Sequence, residues 1–246
     1  MTKKVFFKFW LVLTLGFATM VFNSCTNNDL IDKEVDLNST VGFRTNDEGV
    51  EINGVKWATS NVALPGMFAA KPEDVGRFYQ WNRKVAKEAS GNVTDWDPSA
   101  PVGDEWEWFN DPSPAGWRVP TLDEIKSLFD TENVNMVLTT ENEVKGIRFI
   151  DIATGASIFL PAAGCRSGSD GKLYDAGLFG FYWSNTAYND ANDDFAYSLL
   201  FGGRDVVCEG SNRRLGRLIR SVALPVIEEP EIPEIPEEPE VPEIIP

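Results

Sequence analysis

The sequence predicts an α+β domain built of short antiparallel strands, with one or two helices set apart from them in the chain. Two local signals carry that prediction. Val50-Glu51-Ile52 and Val55-Lys56-Trp57 flank Asn53-Gly54, the strongest short-range hairpin signal. Pro120-Thr121-Leu122-Asp123-Glu124 then places Thr121 as an N-cap with Glu124 three residues on, a capping box. Leu122, Ile125, Leu128 and Phe129 follow on one helical face.

The remaining elements follow in chain order. A second, weaker helix is expected over 82–89. Strands over 144–150 and 157–160 form a pair turned around Ala153-Thr154-Gly155. Four more strands are read at 179–184, 195–201, 205–208 and 217–222, with Gly202-Gly203 turning between the middle two. The stretch 49–224 is long enough for a single well-buried core.

Both ends read as addressing and spacing. Lys3 and Lys4 precede a largely apolar run over 9–22, too short for a comfortable membrane span and matching a secretory signal peptide, residues 1–24. The run stops at Asn23-Ser24-Cys25, and a cysteine at that point resembles the lipobox of bacterial lipoproteins, where it is diacylated. Asn23 departs from the small residue a strict lipobox shows, so ordinary cleavage nearby is the alternative. Residues 25–48 are polar without apolar periodicity and read as a flexible tether. Over 225–246 proline recurs every third residue among glutamates, which forbids helix and ladder and gives an extended polyproline II rod.

Composition excludes several function classes. The 246 residues carry 22 Lys plus Arg against 38 Asp plus Glu, a net charge of −16, which argues against nucleic acid or an anionic membrane surface as partner. Eight glutamates of that excess lie in the tail between 228 and 243. There is no histidine, which removes the Ser-His-Asp triad, the Cys-His dyad and His-ligated zinc. Three cysteines cannot complete a four-thiolate metal site. Carboxylate-pair glycosidase chemistry needs only Asp and Glu and stays open.

Four phrases stand in order: Val55-Lys56-Trp57-Ala58-Thr59-Ser60-Asn61-Val62, Ser113-Pro114-Ala115-Gly116-Trp117-Arg118-Val119-Pro120-Thr121, Ile158-Phe159-Leu160-Pro161-Ala162-Ala163-Gly164-Cys165-Arg166 and Gly180-Phe181-Tyr182-Trp183-Ser184-Asn185-Thr186. Arg217-Leu218-Ile219-Arg220-Ser221-Val222 closes the series. Over residues 50–223 this resembles the Fibrobacter succinogenes major paralogous domain of Bacteroidetes surface lipoproteins. The resemblance implies a C-type lectin-like fold: small twisted antiparallel sheets, one or two helices, and a long loop region presenting a ligand surface. The chain departs from the family at Ser60, Ser113, Ser221 and Cys165. Cys165 and Cys208 remain as thiols in an exported chain, and a disulfide between them is expected.

Candidate sites follow from residue type. Trp57, Trp81, Trp117 and Trp183 sit among apolar residues and read as core. The stretch holding Trp96, Trp106 and Trp108 is acidic and interrupted by Pro98, Pro101 and Pro112, so it reads as a loop. Its indoles and carboxylates suit either a sugar site or a loop folded back on its own aromatics. Asn189, Asp190, Asn192, Asp193 and Asp194 offer oxygens as in the opening of a calcium loop, but position six is Phe195 and no glutamate closes it, so a solvated turn is preferred and no cofactor is expected. From Asn185 through Tyr188 to Arg204, Asn212 and Arg213 the exposed-type residues have the mix that paratopes use.

The functional expectation is an outer-membrane lipoprotein at the cell surface, anchored through Cys25, whose module binds a glycan or a surface protein. The ligand site is expected at the 185–194 loop, Arg204 and the 209–214 turn, with 95–111 as a second wall. A structural or minor fimbrial component is the alternative, and a glycan hydrolase the third. No catalytic constellation is recognised.

Overall fold

Asn53 and Gly54 adopt positive φ values of 48° and 76°, the backbone a two-residue hairpin turn demands. In the computed structural model they join the two strands expected on either side. The model describes residues 42–188, 194–203 and 205–225, which belong to one compact unit. The signal peptide, Cys25, most of the tether and residues 226–246 lie outside the described residues.

In chain order the strands are β1 (Phe43–Arg44), β2 (Val50–Ile52), β3 (Val55–Trp57), β4 (Phe68–Ala69), β5 (Tyr79–Gln80), β6 (Trp117–Arg118), β7 (Val134–Glu141), β8 (Val144–Asp151) and β9 (Ser157–Pro161). They continue as β10 (Cys165–Arg166), β11 (Leu173–Tyr174), β12 (Phe179–Ala187), β13 (Phe195–Gly202), β14 (Asp205–Asn212), β15 (Gly216–Arg217) and β16 (Val222–Ala223). Helix α1 (Leu122–Ser127) is the one α-helix among the described residues. The chain is therefore a set of small antiparallel sheets with a single helix, which matches the coarse α+β expectation.

Two three-stranded sheets, β7-β8-β9 and β12-β13-β14, hold the long ladders. Two four-stranded sheets, β2-β3-β16-β6 and β11-β10-β15-β5, are assembled from short strands far apart in sequence. Because β16 pairs with β3, the last described strand closes beside one of the first. The 144–150/157–160 pair and the Gly202-Gly203 turn are found as expected, with Gly202 opposite Asp205. The expected 217–222 strand is instead two short strands, β15 and β16, joined by residues 218–221, of which Leu218 bridges to Tyr182.

Three expectations need correction. First, 82–89 is not a helix. Asn82 has φ of 52°, Lys87 exchanges both backbone bonds with Phe78, and the carbonyls of Glu88, Ser90 and Gly91 turn toward the buried Arg166 guanidinium. Second, the 25–48 tether runs too far. Phe43 and Arg44 pair with β4, and the Asp47 carboxylate accepts from the amides of Gly49 and Thr59 and from the Arg44 guanidinium. Third, the eight-residue strand β7 was not anticipated from Val134 to Glu141.

Helix α1 has both halves of its capping box: Thr121 Oγ1 accepts from the Glu124 amide, and Glu124 Oε2 accepts from the Thr121 amide. Ile125 and Leu128 are buried in one apolar cluster with Ile147, Phe149, Ile158 and Phe201. A second cluster holds Trp81, Trp106, Val119, Trp183 and Ile219. Trp57, Trp81 and Trp183 are fully buried, and Trp117 packs edge-on against Phe68, as the core reading expects.

Candidate functional site

The 103–119 segment makes a groove of about 500 Å³. Its geometry starts at Asn82, whose left-handed backbone aims the carboxamide at the loop. Asn82 Nδ2 donates to the Val102 carbonyl at 2.8 Å, while its Oδ1 accepts from the Glu107 amide at 2.8 Å and from Asn110 Nδ2 at 3.2 Å. One side chain thereby gathers both limbs of the loop. The Trp106 amide donates to the Asn185 carbonyl at 2.9 Å, and Glu105 bridges to Thr186, which fastens the loop to β12.

A single turn of 3-10 helix (Trp108–Asn110) follows. Trp106 points inward: it is 6% exposed, meets Trp81 edge-on at 6.0 Å, and its Nε1 donates to the Asn110 carbonyl. Two residues on, Trp108 points outward and is 84% exposed, with Phe109 beside it at 55%. Their rings meet edge to face at 5.8 Å. The opposite wall is Pro114, Trp117 and Arg118. Asp111 holds that wall in place, accepting from the Ser113 and Val119 amides, and the Arg118 guanidinium forks onto the Glu124 carboxylate at 2.8 and 2.6 Å. Burial opposes ionisation of Glu124, yet the bonds from Arg118 and Thr121 outweigh it and hold the carboxyl below its usual range. Asn185 and the exposed Lys84 complete the polar lining. The volume falls in the range of small-ligand clefts, and exposed indole with polar groups at its rim suits stacking plus hydrogen bonding.

The structure divides the sequence-predicted site. Trp108 and Asn185 share the groove, and Trp106 forms its floor. Trp96 is a packing residue: its Nε1 donates to the Gly168 carbonyl at 3.1 Å, and a Cβ at Gly171 would lie 2.6 Å from its ring. Tyr188 tilts against Tyr197 with centroids 4.8 Å apart and covers Gly210. Arg213 is buried, donating to the carbonyls of Phe195 and Gly103 with its guanidinium 4.3 Å over Trp81, so it supports the loop from within. The Asp194 carbonyl accepts from the Arg213 amide and its carboxylate pairs with Arg214. Asn212 accepts from the Arg214 amide and lines a separate hollow with Pro98, Gly168 and Ser169. Among the described residues, Trp108 and Asn212 line different hollows, and residues 209–212 belong to strand β14. Asn189, Asp190, Asn192, Asp193 and Arg204 lie outside the described residues.

Trp117, Lys84 and Leu224 were not singled out for the groove from sequence, and Phe109 and Asp111 were in view only as members of the 95–111 loop. In extended chain residues two apart face the same way, so the Trp106-Glu107-Trp108 spacing alone would put both indoles on one side; the 3-10 turn that begins at Trp108 is what separates them. Two further hollows, about 310 and 530 Å³, share Lys145, Ala162, Gly177 and Leu178 in their linings.

Cys165 and Cys208, expected to be bridged, are free thiols. They stand on different sheets: Cys165 pairs with Tyr174 across β10 and β11, and Cys208 pairs with Leu199 across β14 and β13. Burial pushes the Cys208 thiol up to about 12, with Lys126 acting weakly against it, and raises Cys165 with Arg217 opposing. No helix among the described residues is long and apolar enough to cross a membrane.

Comparison with family models, curated proteins and solved structures gives no significant match.

Proposed function

We propose that this chain is an exported, lipid-anchored binding module of C-type lectin-like type that holds a glycan in the 106–119 groove at the cell exterior. The observation that carries the reading is Trp108. An indole left 84% exposed, its ring against Phe109, belongs to neither apolar cluster among the described residues. A planar apolar face of that kind suits the C–H face of a sugar ring, and Asn185 and Lys84 in the lining supply partners for hydroxyls. The anchored location rests on the N-terminal basic and apolar run and on Cys25.

A glycan array probed with the full chain and with Trp108→Ala tests this. The full chain should retain a discrete set of glycans. Truncating an aromatic anchor costs about 2 kcal/mol, so the variant should bind them roughly thirtyfold more weakly. An array with no retained glycan, or equal retention by both chains, overturns the reading.

A further inference from the structure

The described chain leaves the domain through the wall of this groove. Leu224 lines it, and the Leu224 amide donates to the Gly116 carbonyl at 2.9 Å. The segment after Pro225 therefore starts at the groove rim. Its sequence is more ordered than an acidic spacer requires. Prolines stand at 230, 233, 236, 239 and 242. A polyproline II helix turns once every three residues, so a period of three sorts the repeat onto three edges. One edge is all proline. The second carries Ile232, Ile235, Glu238, Val241 and Ile244, and the third is Glu231, Glu234, Glu237, Glu240 and Glu243. Two neighbouring edges are largely apolar while the third is wholly acidic.

Polyproline II segments are recognised by aromatic-lined grooves, because the extended helix is already formed and little conformational entropy is lost on docking. The groove beside Leu224 presents Trp108, Phe109 and Trp117. We propose that the 230–244 repeat docks onto this groove within its own chain, through its proline and isoleucine edges, and so competes with the external ligand. The inference rests on reading the groove as a binding site. A short linker, 225–229, joins root and repeat, so closure is cheap and the effective concentration is in the millimolar range. Even a weak intrinsic affinity then keeps the groove covered. Lys84 and Arg118 lie in the lining, but Asp104, Glu105 and Glu107 make the surroundings acidic. Apolar contact must carry the docking against like charge, and added salt should strengthen it.

The test uses the full chain labelled with 5-fluorotryptophan, with the Trp108 resonance assigned through Trp108→Phe. A second full chain carries Ile232→Ser, Ile235→Ser, Val241→Ser and Ile244→Ser, which keeps every proline and glutamate and leaves the domain untouched. The Trp108 resonance should differ between the two chains while those of Trp57 and Trp183 do not, and the difference should not depend on protein concentration. A synthetic peptide of residues 229–245 should shift Trp108 in the serine chain. If the tail covers the groove about nine-tenths of the time, that peptide binds the unsubstituted chain about tenfold more weakly. Identical Trp108 resonances in the two chains overturn the proposal, as does a difference that grows with concentration, which assigns the contact to another molecule's tail. A blank glycan array with the Trp108 difference present removes the glycan and leaves the docking. Retained glycans without that difference do the reverse.

Discussion

At the scale of single residues, the buried arginines organise this molecule. Arg166, Arg213, Arg217 and Arg220 are all buried, and they donate to backbone carbonyls, to the Asn61 carboxamide and to the Ser198 hydroxyl. Arg220 donates to Asn61 Oδ1 and to the carbonyls of Ala58, Thr59 and Phe159, which joins the loop after β3 to strand β9. Burial pulls its pKa down to about 10, still far above neutrality, so the charge persists. Arg220→Met removes every donor and leaves those acceptors unpaired. It should cost about 3–5 kcal/mol. Arg220→Lys should recover little, because an ammonium cannot span four acceptors. Denaturant midpoints of the three chains decide this, and a Lys variant matching the parent would remove the argument. From the sequence, the closing phrase with Arg217 and Arg220 was visible as a resemblance. Nothing local marked those side chains as interior, since arginine is seldom fully buried without a partner and the partners here, backbone carbonyls together with Asn61 and Ser198, lie far away in sequence.

At the scale of elements, local chemistry was read well where one turn or one cap decides the outcome. The Asn53-Gly54 hairpin and the Thr121–Glu124 capping box are both present because each is closed by groups within four residues. Thr121→Ala should remove about 1 kcal/mol, seen as a fall of a few degrees in Tm. Glu124 also carries a pH dependence. Its folded pKa lies below the ordinary 4.5, so the unfolded chain binds the proton more readily. The stability it contributes is fully present above the unfolded pKa and is lost as pH falls through the folded one. Glu124→Gln should flatten the acid limb of Tm against pH below about 4.5, and an unchanged slope would count against the Arg118–Glu124 pair. The expected 82–89 helix failed for the complementary reason. Its backbone partners, Phe78 and Arg166, come from other elements, and propensity could not register them.

At the scale of the whole molecule, strands of two or three residues are combined into sheets by long-range pairing, as β16 does beside β3 and β6. That assembly also separates the two cysteines onto different sheets. Digestion after alkylation without reductant should return Cys165 and Cys208 as separate modified peptides, and a linked pair would contradict the structure. With its thiol held near 12, native Cys208 should alkylate about a thousandfold more slowly at pH 8 than an ordinary thiol. The candidate site shows the same dependence on assembly. Trp108 and Asn185 were in view from the sequence, but as parts of two walls around one pocket. The fold instead sends Trp106 inward, buries Arg213 beneath Trp81 and gives Asn212 to another hollow.

By itself, the sequence determined the turn at Asn53-Gly54, the capped helix, the apolar placement of Trp57, Trp81 and Trp183, and the three-residue period of the tail. These follow from short-range sterics, hydrogen bonds and hydrophobicity, which act over a few residues. Only the tertiary structure decided which tryptophan of the 96–108 loop faces water, where four guanidiniums find their acceptors, and that Leu224 delivers the tail to the rim of the aromatic groove. Those outcomes depend on groups up to 162 positions apart, such as Arg220 and Ala58, and their mutual placement exists only once the sheets have closed.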